Sequence, residues 1–342
     1  MSLWPYVRPG PTGRELLLER YERTLDGPRL AAAFAEDAVP VDLDPASLVV
    51  RPVALKKDRF IVAVEGRSTA GARVAYVAKG YADERAERVQ ANHRALWEGG
   101  LGDVASLVRT NRPIAVLPSL GLTIGEWLPG DHPGPSDPEA AARTGRAAAT
   151  LHGCHARVQP AFTLAAFLDN VDRHVRLLTA RAPVLGAAAG IAAAHLGTEA
   201  PGIGFETGSP LNGDMSLGSF LVDGGRTYLI DWDISCRFDR AWDVGHYLTQ
   251  LRRFGLERGE ESGQARIAFL GAYEQAAGRT VGRDFDARVA FFEAAACLHK
   301  AYSVARVGRE DWPEVGSALV ASAQATVTAL ASRPERPADQ PW

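Results

Sequence analysis

The chain has 342 residues, 46% hydrophobic and 23% charged, which excludes a disordered or fibrous protein and gives enough length for about two domains. Its formal net charge of −3 and pI near 6.3 argue against a nucleic-acid binder, which would carry a basic stripe. A local basic pocket for phosphates is compatible with any net charge. The three cysteines, Cys154, Cys236 and Cys297, form no C-x-x-C pair and read as buried free thiols of a reducing compartment. Residues 1–14 lack an apolar signal-peptide region, and the most apolar stretches, such as Leu185 to Leu196, are too short to span a bilayer. The expectation is a cytoplasmic protein with no membrane partner.

In chain order, Leu17, Leu18, Tyr21, Leu25, Leu30 and Phe34 recur at helical spacing and predict one or two amphipathic helices. Three β-branched, alternating runs follow, beginning at Ser47, Arg59 and Arg73, the last two joined by a hairpin turn over Gly66 to Gly71. A helix is expected from Asp83 to Glu98, stopped by Gly99-Gly100, and strands between Ile114 and Trp127. The Pro/Gly cluster from Leu128 to Pro135 reads as a linker. Beyond it helices are expected over Pro138–His155, Leu164–Leu178, Ala180–Leu196, Asp243–Leu256, Gly263–Ala277 and Arg288–Val307, interrupted by a β-like island from Ser219 to Trp232. The division that results is an α+β, two-lobed one. A helical extension occupies 1–44, a small antiparallel-sheet lobe 45–127 and a larger helical lobe 128–331, with a flexible tail over 332–342. Ligands commonly bind at such a junction.

The island carries the chemistry. Asp214 and Asp231 each follow a turn beside a short strand, and a hairpin would bring them to one end of a cleft. One carboxylate can take the proton of an attacking hydroxyl while the other holds a divalent metal, the pair that phosphoryl transfer requires. Hard oxygen ligands suit Mg²⁺.

Asn212-Gly-Asp-Met-Ser-Leu-Gly-Ser219 followed by Ile230-Asp-Trp-Asp233 resembles the catalytic core of the aminoglycoside phosphotransferase/choline kinase family. That family reads His-Gly-Asp-x-His-x-x-Asn and then Ile-Asp-Trp/Phe-Glu on a protein-kinase-like fold. The resemblance implies Asp214 as base, Asp231 as metal ligand with Asp233 and Ser219 beside it, and Asp243 as an anchor of the catalytic loop. It extends over roughly residues 45 to 330. It implies that Lys79, at the end of Val-Ala-Lys, grips nucleotide phosphates with a partner on the following helix, where Glu84 and Glu87 are the candidates and Glu87 the preferred one, and that Glu126 and Trp127 form the nucleotide-binding hinge. The helix ending in Thr150-Leu-His152 would pack beneath the site. The implied cofactors are ATP or GTP and Mg²⁺.

Three departures stand out. Asn212 and Ser216 replace the two histidines, and Ser219 replaces the asparagine that serves as second metal ligand. The nucleotide-covering segment from Val53 to Phe60 has no glycine, so charge from Lys56, Lys57 or Arg59 would have to stand in for close backbone approach. His299 and Lys300 read either as a wall of the acceptor pocket or as a solvated face. Three functions follow. One is a kinase for a small-molecule hydroxyl such as that of an antibiotic, sugar or amino alcohol. The second is a peptide Ser/Thr kinase working with a partner lyase, and the third a pseudokinase that binds nucleotide or a protein partner. Aminoglycoside-binding relatives present an acidic acceptor pocket, and no clear acidic bias is visible in the helical half.

Overall fold

A computed structural model describes residues 11–332 apart from residues 38, 40 and 279–282; the first ten residues and the expected tail beyond 332 lie outside that range. Helices α1 (Pro11–Leu25) and α2 (Gly27–Glu36) open the chain. They are two rather than one because Asp26 turns extended and caps α2, accepting from Arg29 N ahead of Pro28. Leu17, Leu30, Ala33 and Phe34 bury their faces in one core with Phe60, Val62, Val64 and Ile124 of the sheet. Arg20 of α1 donates to Tyr81 O at 2.6 Å. The N-terminal helices therefore cover the sheet.

Strands β1 (Val49–Leu55), β2 (Arg59–Arg67) and β3 (Arg73–Tyr81) precede helix α3 (Ala86–Leu96), and β4 (Val108–Thr110), β5 (Pro113–Leu117) and β6 (Leu122–Glu126) follow it. Five of these strands form an antiparallel sheet in the order β1-β2-β3-β6-β5. The expected end of α3 at Glu98 gives way to a wider turn over Trp97–Leu101, where Gly100 takes φ +127°.

Helices α4 (Pro138–Gly153), α5 (Leu164–Arg181) and α6 (Pro183–Glu199) lead into four short strands. These are β7 (Ser209–Leu211), β8 (Phe220–Asp223), β9 (Arg226–Leu229) and β10 (Cys236–Phe238). Helices α7 (Ala241–Arg258), α8 (Gly263–Ala277), α9 (Arg283–Val307) and α10 (Trp312–Ala331) complete the chain. Capping explains the sharp starts: Asp137 accepts from Glu139 N and Ala140 N before Pro138 begins α4, and Thr163 caps α5. Helix α10 is not foreseen by the sequence reading. Its Val, Thr, Ser and Gly content weakens the local helix signal, and packing against α9 and α6 decides it.

The helical core gathers Phe167, Phe238, Trp242, Phe291 and Phe292 edge to face around α9. It shares no buried residue with the core under the five-stranded sheet. Strand β4 crosses that division. It precedes β5 in the chain yet pairs in parallel with β9, extending the β8–β9 hairpin into a three-stranded sheet. The seam between the two cores holds the cavities described next.

Candidate active site

The loop after β7 is fixed by its own backbone. Asn212 N and Gly213 N donate to the two carboxylate oxygens of Asp243 at 2.7 and 2.9 Å. Asp243 is fully buried at the start of α7, with His152 of α4 at 3.3 Å. Trp242 Nε1 donates to Gly213 O at 2.9 Å. Gly213 adopts φ +88°, and a Cβ there would lie 2.5 Å from Ile234 O, so only glycine fits the turn. These contacts deliver Asp214 to the seam. Its Oδ1 sits 3.2 Å from Lys300 Nζ and 3.2 Å from His246 Nε2. Burial alone would raise its pKa, but Lys300 and His246 hold it below the usual carboxylate range. At neutral pH the group is an unprotonated carboxylate.

Helices α7 and α9 bring His246 and Lys300 there by unusually close approach. A Cβ on Gly245 would meet Glu293 N at 2.7 Å and Val289 O at 2.9 Å, so a side chain at this position would force the helices apart.

Asp231 follows β9 with φ +67°, the one positive φ outside glycine among the described residues. Such a conformation costs about 1–3 kcal/mol and persists where surroundings over-determine it. Here Asn212 Nδ2 donates to Ile230 O at 3.2 Å and Asp231 O at 3.0 Å. The asparagine standing where the resembled family has histidine thus pins the second loop to the first. Lys79 Nζ reaches Asp231 at 2.5 Å and Asp233 at 3.2 Å. Asp233 is buried and further met by Arg59 Nε at 2.9 Å and the Tyr81 hydroxyl, which donates at 2.8 Å. Burial pushes Asp231 toward neutrality, but Lys79 and Arg59 overcome it and hold its carboxyl well below the ordinary range. Those same carboxylates raise the Lys79 pKa against burial.

Two sequence expectations change. Glu87 is exposed on the first turn of α3, and the partners Lys79 meets are Asp231 and Asp233; α3 faces the cavity through Val89, Gln90 and His93. Ser219 is 2% exposed with its hydroxyl donating to Asn212 Oδ1 at 3.2 Å and accepting from Ser216 N at 3.1 Å. A serine side chain is short, and here its oxygen is captured inside the loop; Ser216 and Gly218 form the cavity wall at that point.

Two cavities meet at Asp214. The larger, about 600 Å³, includes Lys56, Arg59, Lys79, Glu126, Trp127, Asp231 and Asp233 in its wall. Glu126 is held by Arg109 at 2.8 and 3.1 Å, and Trp127 stands at the rim, 39% exposed. The smaller cavity, about 290 Å³, takes Lys57 together with His299 and Lys300. Both of the last two are buried, so they form a cavity wall and not a solvated face. The role of Lys300 beside Asp214 is missed by sequence reasoning. Its signal is faint: a His-Lys pair in a long apolar helix.

Among the described residues no cluster of three or more His, Cys, Asp or Glu side chains is arranged to hold a metal. One exposed-facing carboxylate, Asp231, with phosphates and waters completing the shell, nevertheless fits Mg²⁺, which dehydrates reluctantly and binds through one or two carboxylates. No described helix is long and apolar enough to cross a membrane.

The fold has many solved counterparts. A choline/ethanolamine kinase family protein from Mesorhizobium loti is 16% identical, with a TM-score of 0.57 over 90% of this chain and 96% of its own. An aminoglycoside phosphotransferase from Alicyclobacillus acidocaldarius is 16% identical, with a TM-score of 0.53 over 86% and 94%. A choline kinase from Cryptosporidium parvum reaches 0.61 at 9% identity over 88% and 95%. No curated protein matches the sequence. The model of the phosphotransferase enzyme family matches residues 55–286, a span that contains Lys79, Asp214, Asp231 and Asp243, and the chain belongs to that family.

Proposed function

We propose that this phosphotransferase moves the γ-phosphate of ATP or GTP to a hydroxyl of a small molecule, with Asp214 as base and Asp231 holding Mg²⁺. The observation that carries the reading is the position of Asp214 in the walls of both cavities, with Asp231 and Lys79 in the larger alone. The nucleotide occupies the larger cavity, its base toward the Glu126–Trp127 segment and its phosphates toward Lys56, Arg59 and Lys79. Solved relatives are compatible with this. A choline kinase from Streptococcus pneumoniae is in complex with AMP, and an amicoumacin kinase with AMP-PNP and Ca²⁺.

The acceptor hydroxyl lies against Asp214 from the other side. Its oxygen attacks the γ-phosphorus, its proton passes to the Asp214 carboxylate, and the bond to the β–γ bridging oxygen breaks with its electron pair left on the nucleoside diphosphate. Lys300 keeps Asp214 ionised for that step and orients it. Lys79 and Arg59 hold Asp231 and Asp233 in place and offer charge to the phosphates. A bound Mg²⁺ supplies neutralisation of the phosphate charge.

The test is nucleotide binding by thermal shift with ATP and GTP, with and without Mg²⁺, followed by nucleoside diphosphate release across a panel of hydroxyl acceptors. Mg²⁺-dependent binding and acceptor-dependent release are expected. Metal-independent binding together with no release on any acceptor sinks the reading.

A further inference from the structure

The smaller cavity has a charge that sets its ligand. Its wall takes Lys56 and Lys57 from the β1–β2 turn, Arg59 from the start of β2, Arg173 from α5, and Lys300 and Arg306 from α9. Only two carboxylates, Asp58 and Asp214, face the same space among the described residues. Asp58 is buried and already answered by Arg59 at 3.4 Å and Arg85 at 3.2 Å, and Asp214 by Lys300. His174 and His299 lie in contact there, ring centroids 4.6 Å apart; burial keeps both far more acidic than free imidazole, so they are neutral at pH 7 and add hydrogen-bonding atoms rather than charge. Among the described residues Leu177, Tyr302 and Ser303 complete the wall.

A cationic acceptor would enter this space against a surplus of like charge, which costs several kcal/mol per unfavourable juxtaposition. Guanidinium groups instead match carboxylate and phosphate geometry bidentately. The volume, about 290 Å³, stands at the lower end of small-molecule pockets and suits one compact molecule.

From this lining we infer that the acceptor is a small hydroxyl compound carrying a phosphate or carboxylate, its anionic group held by Arg173 and Arg306 while its hydroxyl meets Asp214. This rests on the kinase reading for the role of Asp214, but the anion site stands on its own lining. The acceptor's supplier would be a reaction that leaves a phosphate ester or hydroxy acid, and the product carries one phosphate more.

Calorimetry on the full chain tests it, with glycerol 3-phosphate, glycerate, glycerol and ethanolamine titrated in turn, with and without AMP-PNP and Mg²⁺. At least one anion should bind tenfold or more tighter than glycerol and ethanolamine, both when AMP-PNP fills the larger cavity and without it. Arg306→Glu and Arg173→Glu should each weaken that binding tenfold or more, and Arg306→Lys should recover part of it, which also guards against a folding defect. Anion binding that is absent, no tighter than that of ethanolamine, or indifferent to both reversals overturns the inference. Anion binding in a protein that never turns over nucleotide leaves the inference standing and removes the kinase reading. Turnover confined to amine-bearing acceptors keeps the kinase reading and overturns the inference.

Discussion

The two cavities that meet at Asp214 are built on opposite electrostatic plans. Among the described residues the larger sets five carboxylates, Glu126, Asp131, Asp214, Asp231 and Asp233, against Lys56, Arg59 and Lys79. The smaller, again among the described residues, sets six cationic side chains against two carboxylates. An excess of carboxylate suits a ligand that arrives with a divalent cation, and an excess of guanidinium and ammonium suits one that arrives as a bare anion. One loop serves both plans because Asp214 is the carboxylate they share, beside Lys56 and Arg59 that also line both, and its ionisation is maintained from the basic side by Lys300.

The sharpest way to break the comparison is to remove the shared carboxylate. Asp214→Asn is expected to lower kcat by about 10²–10⁴-fold, the usual worth of a positioned base, while Mg²⁺-dependent nucleotide binding persists. A steady-state assay of nucleoside diphosphate release decides it, and turnover within threefold of the parent would show that Asp214 is not the base. Lys79→Met acts on the larger cavity alone. It leaves Asp231 and Asp233 with Arg59 as their remaining cation and takes one charge from the phosphates, so nucleotide affinity should fall about tenfold or more, ~1.4 kcal/mol, without a matching change in anion affinity of the smaller cavity.

Gly245→Ala acts on the other wall. The added Cβ drives α7 from α9 and should cost about 1–3 kcal/mol by overpacking, read as a lower Tm, with the Lys300–Asp214 pair loosened. An unchanged Tm would mean that the helices shift at no cost. The smallest effect is one of pH, read on one buried histidine from each cavity wall. Burial lowers His93, in the larger, to about 4 and His174, in the smaller, to about 3, against about 6.5 in the unfolded chain. The unfolded state therefore binds more protons across that window. Stability is intact above pH 6.5 and is lost as pH falls toward the folded values, by under about 1 kcal/mol per histidine between pH 7 and 6. Thermal unfolding between pH 5 and 8 checks the sign.

Much of the fold was legible locally. Alternation marked β2 and β3, and the helix expected from Pro138 coincides with the start of α4. Helix α10 and strand β4 were not, because each is settled by partners distant in the chain: α9 and α6 for the helix, and a parallel pairing with β9 for the strand. At the site, the order of Lys79, Asp214, Asp231 and Asp243 is a sequence property and led to the phosphotransferase family. The partner of Lys79 is not. A helix pattern can say that Glu87 and Gln90 share a turn, but which side faces the sheet depends on how α3 docks.

The sequence by itself determined which chemical groups are available at Asp214 and Asp231, because type and spacing within one loop and one hairpin are written in consecutive residues. Only the tertiary structure decided what surrounds them. Lys300 lies 86 positions from Asp214 and Arg173 approaches from a separate helix. The charge of a cavity is a sum over side chains that no local period relates, and it forms only when α5, α9, the loop carrying Asp214 and the β1–β2 turn close on one point.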